Sequence, residues 1–215
     1  MNMKEIVRYR RRAIIHHWLI VACALLLGIT GLFLFVDWFG PAAIGGYSRL
    51  IHRIGAVGFV AIPLIYSVLN PRSTLEWIKE AFTWNRDDLG WLKAAPTYYF
   101  GLDIVPMPPQ DRSNTGQKLW MLVVIITGVI FVVSGGIMWF GKSYVPVGVF
   151  QWAIYAHDVA FILAGAMLLV HIALGSLHPR FSEALRSMIT GKVSVDYAKS
   201  HHEKWYKRIS KGEKT

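Results

Sequence analysis

The sequence predicts an all-α integral membrane protein built on a bundle of four transmembrane helices. Three observations lead to this fold class. Hydrophobic residues make up 54% of the chain and charged residues only 17%, whereas soluble domains carry roughly 25% charged residues. Four nearly uninterrupted apolar runs reach the ~20 residues that a helix needs to cross a bilayer. The basic residues cluster in alternate connections between these runs, which is typical of multi-pass proteins.

The apolar runs set the boundaries of the predicted spans. The spans cover residues 13–36, 49–69, 117–140 and 150–176, within a single membrane domain of residues 1–215. The first run is too long for a secretory signal peptide, and no small-residue cleavage site follows it, so we expect it to remain as a helix.

The connections between the spans are predicted to differ in length and structure. A short turn follows the first span and contains Gly40, Pro41, Gly45 and Gly46. The connection 70–114 is long and polar. Apolar residues at helical spacing predict an interfacial amphipathic helix over residues 73–84, capped by Ser73. A short surface helix is expected in the tail, with one face formed by Phe181, Leu185, Met188 and Ile189.

The basic residues predict the orientation of the spans. Of the 23 lysines and arginines, all but Arg49, Arg53 and Lys142 lie in the N-terminal segment, in the segment 70–118 or in the tail. Basic residues stay on the cytoplasmic side, so both termini and the long connection are expected in the cytoplasm. We expect the protein in the cytoplasmic (inner) membrane of a bacterium or archaeon. This topology explains the net charge of +10 without nucleic-acid binding, for which no module is visible.

The single cysteine limits the chemistry that the chain can perform. Cys23 lies inside the first apolar run. One cysteine excludes a disulfide framework, an iron–sulfur cluster and a Cys-x-x-Cys-His haem attachment site within this chain.

The fourth span carries two histidines, His157 and His171, fourteen positions apart. Fourteen steps turn a helix by ~1400°, so the two rings lie within ~40° of one face and ~21 Å apart along the axis. Ionisable side chains are costly inside a bilayer and are functional candidates by default. We expect each ring to be one axial ligand of a buried haem b.

Topology predicts which histidines form pairs. His17 begins the first span and lies at cytoplasmic depth, while His52 begins the second span at outer depth. The fourth span enters from the outer side, so His157 is outer and His171 is inner. Matching depths gives the pairs His17–His171 and His52–His157. Two imidazoles on one iron leave no open position, which suits electron transfer rather than oxygen chemistry.

Other histidines must be weighed against these four. The simplest alternative is that each one is a satisfied polar residue at a helix interface. His16 precedes His17, but it points about 100° away on a helix, and His17 is preferred partly because of the family resemblance given below. His178 lies beyond the fourth span and is expected at the interface, and His201 and His202 are expected to be solvated in the charged tail.

Small and basic residues near the four histidines suit a haem but have simpler explanations. Arg49 and Arg53 flank His52 and could pair with haem propionates, or they could be ordinary interfacial anchors. Glycines can make room for a flat macrocycle or serve helix packing. They are Gly28, Gly31, Gly55, Gly58, Gly128, Gly135, Gly136 and Gly165.

A second candidate site precedes the third span at cytoplasmic depth, where the chain reads Asn114-Thr115-Gly116-Gln117-Lys118. Amide groups can hold a quinone carbonyl, and a glycine lets a ring approach the backbone. The alternative is a polar loop that starts a helix with glutamine.

Taken together, these motifs resemble a known family, the gamma subunit (a di-haem cytochrome b) of membrane-bound respiratory formate dehydrogenases. The resemblance covers nearly the whole chain. The motifs that carry it are His17-Trp18, Arg49-Leu50-Ile51-His52, the Asn114–Lys118 segment, the His157/His171 pair, Gly191-Lys192-Val193-Ser194, His201-His202 and Trp205-Tyr206.

The resemblance implies cofactors, partners and a direction of electron flow. It implies that the four histidines ligate two haems b and that Asn114, Gly116, Gln117 and His171 line a menaquinone site. It also implies an iron–sulfur (beta) subunit that delivers electrons and a catalytic molybdenum or tungsten (alpha) subunit. Menaquinone or another quinone would then be reduced on the cytoplasmic side. No formate-oxidising site is visible in this chain, so the full reaction would belong to a complex.

Some features depart from the family pattern and keep alternatives open. The long connection, with residues 91–96 and 106–110, looks longer than in the best-known members, which could alter a partner contact or the quinone pocket. Related cytochromes serve nickel–iron hydrogenases and other molybdenum oxidoreductases, and these are the main alternative. A transporter or a haemless anchor are further alternatives, although the spans hold few polar groups besides the histidines.

Overall fold

The computed structural model describes residues 4–36, 47–102 and 104–212. Its regular elements are β1 (Glu5–Val7), α1 (Arg11–Phe35), α2 (Tyr47–Leu69), α3 (Pro71–Phe82), α4 (Arg86–Tyr99), α5 (Thr115–Gly136), α6 (Val147–Ile172), α7 (Ser182–Thr190), β2 (Lys192–Ser194), α8 (Val195–His201) and α9 (Glu203–Ser210). A π-helical turn, Ile137–Gly141, extends α5, and a second one, Ala173–Leu177, extends α6. A 3₁₀ turn, Pro179–Phe181, precedes α7.

Within the described residues, four helices are long and apolar enough to cross a membrane. They are α1, α2, α5 with its π turn and α6 with its π turn, so the predicted all-α membrane fold is confirmed. Each helix begins two or three residues before its predicted span. With the π turns included, each ends within one residue of the predicted end. The predicted turn with Gly40, Pro41, Gly45 and Gly46 lies outside the described residues.

The spanning helices expose apolar side chains and bury small ones. Val68 and Leu169 are more than two-thirds exposed, which suits a lipid-facing surface. Gly55 and Gly58 of α2 face α1, where an added Cβ would lie 3.2 Å from Leu27 and 2.9 Å from the sulfur of Cys23. Small residues let helices approach closely in a membrane, so these two glycines serve packing.

The chain forms two compact units. The first, here called the span unit, comprises Arg11–Thr74 and Val123–Val170. The second, here called the polar unit, comprises Met1–Arg10, Leu75–Leu122 and His171–Thr215. Helices α5 and α6 therefore contribute residues to both units.

A two-stranded sheet ties the N-terminal segment to the tail inside the polar unit. Strands β1 and β2 run antiparallel with Ile6 opposite Val193. Gly191 ends α7 with φ near +80°, a conformation that side chains other than glycine rarely adopt. Its N–H donates to the Ser187 carbonyl at 2.9 Å, and its own carbonyl accepts from the N–H of Arg8 at 2.7 Å. The Gly-Lys-Val-Ser motif of the tail is thus a helix stop followed by a strand.

The tail is folded around a hydrophobic core, contrary to the prediction that its histidines are solvated. Val193, Tyr197 and Trp205 are buried in this core. His202 is only 1% exposed, and its Nδ1 lies 2.7 Å from the Asp111 carbonyl. Burial, followed by the charge of Arg8, holds the pKa of His202 well below its usual value. The prediction was wrong because α8 and α9 are too short to show a clear apolar stripe in a lysine-rich sequence.

The long connection contains two helices rather than one. The predicted helix over 73–84 is present as α3, but it starts at Pro71, so Ser73 lies inside it and is not its cap. Proline is favoured at the first helical position because the missing N–H has no partner there in any case. Helix α4 was not predicted. Its signal was present, since Asn85 and Asp88 form a capping box at its start.

Replacing Gly191 by alanine is expected to destabilise the polar unit. A left-handed conformation costs a side-chain-bearing residue about 1–2 kcal/mol, so hydrogen exchange of the β1 and β2 amides should accelerate by about tenfold. Gly191→Asn is the matched control, because asparagine tolerates this conformation better. Equal exchange rates in the alanine and native proteins would contradict the role assigned to Gly191.

Candidate functional site

The structure brings together the outer histidine pair that depth matching predicts. His52 lies on α2 and His157 on α6, and both belong to the span unit. Their ring centroids are 6.3 Å apart, with the ring planes at 56°. Both side chains are half-buried. Two imidazoles from different helices therefore face each other at short range.

This spacing fits a metal ion held between the two rings. An imidazole nitrogen ligates a metal at ~2 Å, and the ring centre lies ~1 Å behind the nitrogen, so two rings on opposite sides of one ion have centroids ~6 Å apart. His52 and His157 match this distance. Each ring also lies beside a glycine, with Cε1 of His52 3.5 Å from the Cβ position of Gly31 and Cε1 of His157 3.6 Å from that of Gly135. The donor set and the small residues beside it therefore fit a haem.

Two hydroxyl groups that were not predicted lie beside the outer pair. Thr30 Oγ1 is 2.9 Å from Nδ1 of His52, and Ser134 Oγ is 2.9 Å from Nδ1 of His157. Both hydroxyl residues are buried. Their sequence signal was weak, since a single Thr or Ser inside an apolar run is usually a helix back-bonder.

The inner histidines lie in different units, so their pairing stays a prediction. In the span unit, His17 packs edge-on against Trp18, and His16 stacks on Tyr66 at 4.2 Å. In the polar unit, His171 stacks on Trp120, with ring centroids 4.8 Å apart and planes at 12°. His16 and His17 have different aromatic neighbours, as their different directions on the helix predict.

The two arginines beside His52 have exposed side chains. The guanidinium of Arg53 lies over the ring of Trp139, 5.2 Å from its centroid. Such a cation–π contact suits an arginine at the membrane surface. The pairing of Arg49 and Arg53 with haem propionates stays a prediction.

The Asn114–Lys118 segment opens α5 with a reciprocal capping arrangement. The backbone N–H of Gln117 donates to Asn114 Oδ1 at 2.9 Å, and that of Asn114 donates to Gln117 Oε1 at 3.0 Å. Both side-chain oxygens are therefore occupied. Within the described part of the chain, the two side-chain NH₂ groups have no hydrogen-bond partner. They are the groups that could donate to a carbonyl oxygen.

Thr115 and Lys118 anchor this segment to the long connection through a buried carboxylate. Lys118 Nζ lies 2.9 and 3.0 Å from the two oxygens of Asp88, and the Thr115 hydroxyl donates to Asp88 at 2.8 Å. Burial alone would raise the pKa of Asp88, but the hydrogen bonds from Lys118, Thr115 and the Asn85 backbone, with the Lys118 charge, hold it below its usual value. Asp88 therefore stays ionised near neutral pH.

Gly116 packs against an aromatic ring of the long connection. An added Cβ would lie 2.9 Å from Trp91, and Trp91 is itself buried. Steric contact with Trp91 is thus sufficient reason for glycine here. Its approach to a quinone stays a prediction. This contact joins the Asn114–Lys118 segment to residues 91–96, the part of the connection that is expected to be longer than in the best-known family members.

Four spanning helices and a facing pair of imidazoles define a membrane cytochrome of the b type. The model of the prokaryotic cytochrome b561 family matches residues 8–191, and the chain belongs to this family. The protein is therefore a multi-pass membrane cytochrome b with an electron-transfer role, and its cofactor is haem b.

Curated relatives support the resemblance found in the sequence. The chain is 27% identical over 216 residues to the formate dehydrogenase cytochrome b556 subunit of Haemophilus influenzae, covering 96% of this chain and 84% of that protein. It is 27% identical to the formate dehydrogenase cytochrome b556(fdo) subunit of Escherichia coli K12, covering 96% and 94%. The nitrate-inducible b556(Fdn) subunit of the same strain is 26% identical, covering 92% and 88%.

Lys118→Met is expected to destabilise the protein by about 3 kcal/mol, because it leaves the Asp88 carboxylate buried without its cation. Thermal unfolding in detergent, followed by tryptophan fluorescence, measures the loss. Lys79→Met is the matched control, since Lys79 is exposed and its replacement should be nearly neutral.

The same pair predicts a pH dependence. Because the pKa of Asp88 is lowered in the folded protein, its carboxylate stabilises the fold fully at pH values above the ordinary carboxyl pKa of about 4. This stabilisation is lost as the pH falls through the lowered pKa of the folded protein. The stability difference between Lys118→Met and the native protein should therefore be largest above pH ~5 and narrow in acid. A difference that grows in acid would contradict the ion pair.

Proposed function

We propose that this chain is the cytochrome b subunit of a formate dehydrogenase complex in the cytoplasmic membrane, where it passes electrons from an iron–sulfur subunit to menaquinone. The observation that carries the proposal is the facing arrangement of His52 and His157, at the depth where the electron would enter. The names of the relatives, all formate dehydrogenase cytochrome b556 subunits, support the choice of complex.

The four membrane histidines hold two haems in this proposal. His52 and His157 ligate the outer one, and His17 and His171 ligate the inner one. When bound, a haem b with two imidazole ligands carries one electron at a time and has no open position for oxygen. The predicted topology puts one haem near each side of the membrane, so that the chain would span the distance between the electron donor and the quinone.

Asn114 and Gln117 hold the quinone through their NH₂ groups. The capping arrangement uses their oxygens and fixes both side chains, and this leaves the NH₂ groups to donate. Trp120 lies one turn after Gln117 on the same face of α5, and it stacks on His171. Through Trp120 the amide donors are connected to the inner haem ligand within the polar unit. A quinone bound here would accept electrons at short range and take protons from the cytoplasmic side.

The catalytic chemistry belongs to partner subunits in this proposal. An iron–sulfur (beta) subunit delivers the electrons, and a molybdenum or tungsten (alpha) subunit oxidises formate. Purification of the complex from native membranes, with mass spectrometry of the co-purifying chains, tests this assignment. Recovery of a nickel–iron hydrogenase in place of these subunits would favour the alternative and leave the haem assignment unchanged.

Single alanine substitutions of the histidines should each remove one specific haem. We expect one haem per chain in His52→Ala and in His157→Ala, with the same haem lost in both, and loss of the other haem in His17→Ala and His171→Ala. Haem quantification and reduced-minus-oxidised spectra of the purified protein measure this. His16→Ala, at the neighbouring position, is the control and should retain two haems. If His17→Ala and His171→Ala removed different haems, the inner pairing would be wrong.

The quinone site can be tested without disturbing the helix start. Asn114→Asp and Gln117→Glu keep the capping oxygens, since aspartate and glutamate are favoured at these positions, but they remove the NH₂ donors. Each lost hydrogen bond is worth about 0.5–1.5 kcal/mol, so quinone-analogue affinity should fall about three- to tenfold per variant. Haem content and thermal stability should stay unchanged. Unaltered affinity and quinone reduction in both variants would exclude the site.

A further inference from the structure

The outer histidine pair has the same hydroxyl contact on both of its members. Thr30 of α1 contacts Nδ1 of His52 on α2, and Ser134 of α5 contacts Nδ1 of His157 on α6, each at 2.9 Å. In both cases the hydroxyl comes from a different helix than the histidine. The same contact thus arises twice, between two independent pairs of helices, at the two rings that face each other.

The direction of each hydrogen bond follows from a second contact. Thr30 Oγ1 lies 2.7 Å from the Leu26 carbonyl, and Ser134 Oγ lies 2.5 Å from the Ile130 carbonyl. A carbonyl can only accept, so the single hydroxyl proton is donated to it. The hydroxyl oxygen must then accept from the histidine. Both rings therefore carry their proton on Nδ1, and both Nε2 atoms keep a lone pair.

A glycine follows each hydroxyl residue and leaves room for the same ring. The Cβ position of Gly31 lies 3.5 Å from Cε1 of His52, and that of Gly135 lies 3.6 Å from Cε1 of His157. The Cε1 atom is the ring carbon between the two nitrogens. In the pairs Thr30-Gly31 and Ser134-Gly135, the first residue thus provides a hydrogen-bond acceptor for Nδ1. The glycine that follows lets the backbone lie alongside the imidazole ring.

We propose that Thr30 and Ser134 are positioning residues of the outer haem site, which select the Nδ1–H tautomer of both ligands, fix the ring orientations and tune the haem midpoint potential. The inference rests on the proposed role of His52 and His157 as axial ligands. A hydrogen bond from the distal ring nitrogen raises the basicity of a ligating imidazole. A neutral hydroxyl does so more weakly than a carboxylate, so both ligands remain neutral imidazoles.

The inner ligand His171 has a different neighbour, since it stacks on Trp120. Hydroxyl acceptance at the outer pair and aromatic stacking at His171 give the protein separate means of tuning its two haems. Changes at Thr30 or Ser134 should therefore act on the outer haem alone.

The test uses Thr30→Val and Ser134→Ala in the purified complex. Redox titration followed in the haem absorption band reports the midpoint potentials, and low-temperature EPR of the ferric protein reports the relative orientation of the axial ring planes. We expect the outer potential to rise, because a less basic imidazole stabilises ferric iron less, and we expect its EPR signal to change. The inner haem should be unaffected in both measurements.

Two kinds of control isolate the hydroxyl. Thr30→Ser and Ser134→Thr keep an acceptor oxygen and should retain native potentials and EPR signals. Thr127→Val is the matched control on α5. Thr127 is also buried, and its hydroxyl donates to the Val123 carbonyl at 2.6 Å, but in the described part of the chain no contact with a histidine accompanies that bond. It should have no effect on either haem.

The outcomes separate this inference from the proposed function. Native potentials and EPR signals in Thr30→Val and Ser134→Ala, with one haem lost in His52→Ala, would overturn the inference and leave the haem assignment standing. Two haems retained in His52→Ala would overturn the assignment itself. Loss of the outer haem in Thr30→Val supports the inference if Thr30→Ser restores it and contradicts it otherwise. An equal shift in Thr127→Val also contradicts it.

Discussion

The cost of leaving a polar group without a partner inside an apolar membrane governs the outer histidine pair of this cytochrome. An imidazole in a bilayer is stabilised when its nitrogens have partners. At the outer pair, Thr30 and Ser134 supply the partner for one nitrogen of each ring, and a haem iron between the rings would supply the partner for the other. The spanning helices are otherwise mostly apolar, so these few polar contacts mark the outer pair as a candidate cofactor site.

The Asn114–Lys118 segment shows structural and functional demands on the same residues. Its two amides cap α5, while Thr115 and Lys118 hold the buried Asp88 and Gly116 makes room for Trp91. Folding alone is therefore a sufficient reason for this motif, although it is one of those that carry the family resemblance. The capping geometry nevertheless leaves the NH₂ donors free for a ligand, and the stacking of Trp120 on His171 connects that helix face to a proposed haem ligand. The folding role thus orients the groups that the quinone proposal requires.

The tail extends this argument to residues to which no cofactor role is assigned. Gly191, His202 and Trp205 belong to motifs that support the family resemblance, yet their contacts are those of a folded polar unit. Gly191 ends a helix in a left-handed conformation, and His202 and Trp205 are almost completely buried. This unit joins the N-terminal strand, the long connection and the tail, which are remote in sequence. Its stability maintains the start of α5, where the candidate quinone site lies.

The sequence by itself determined the membrane class and the four spans and predicted the depth of each histidine, because helix length, hydropathy and charge bias are local properties of the chain. It therefore predicted the His52–His157 pair before any contact was known. Only the tertiary structure revealed Thr30 and Ser134 as partners of that pair, the buried Asp88–Lys118 ion pair and the packing of His202. Each of these depends on residues that are distant in sequence and meet only when helices pack. The periodicity of apolar residues along one helix does not indicate which side chains of a neighbouring helix it will contact.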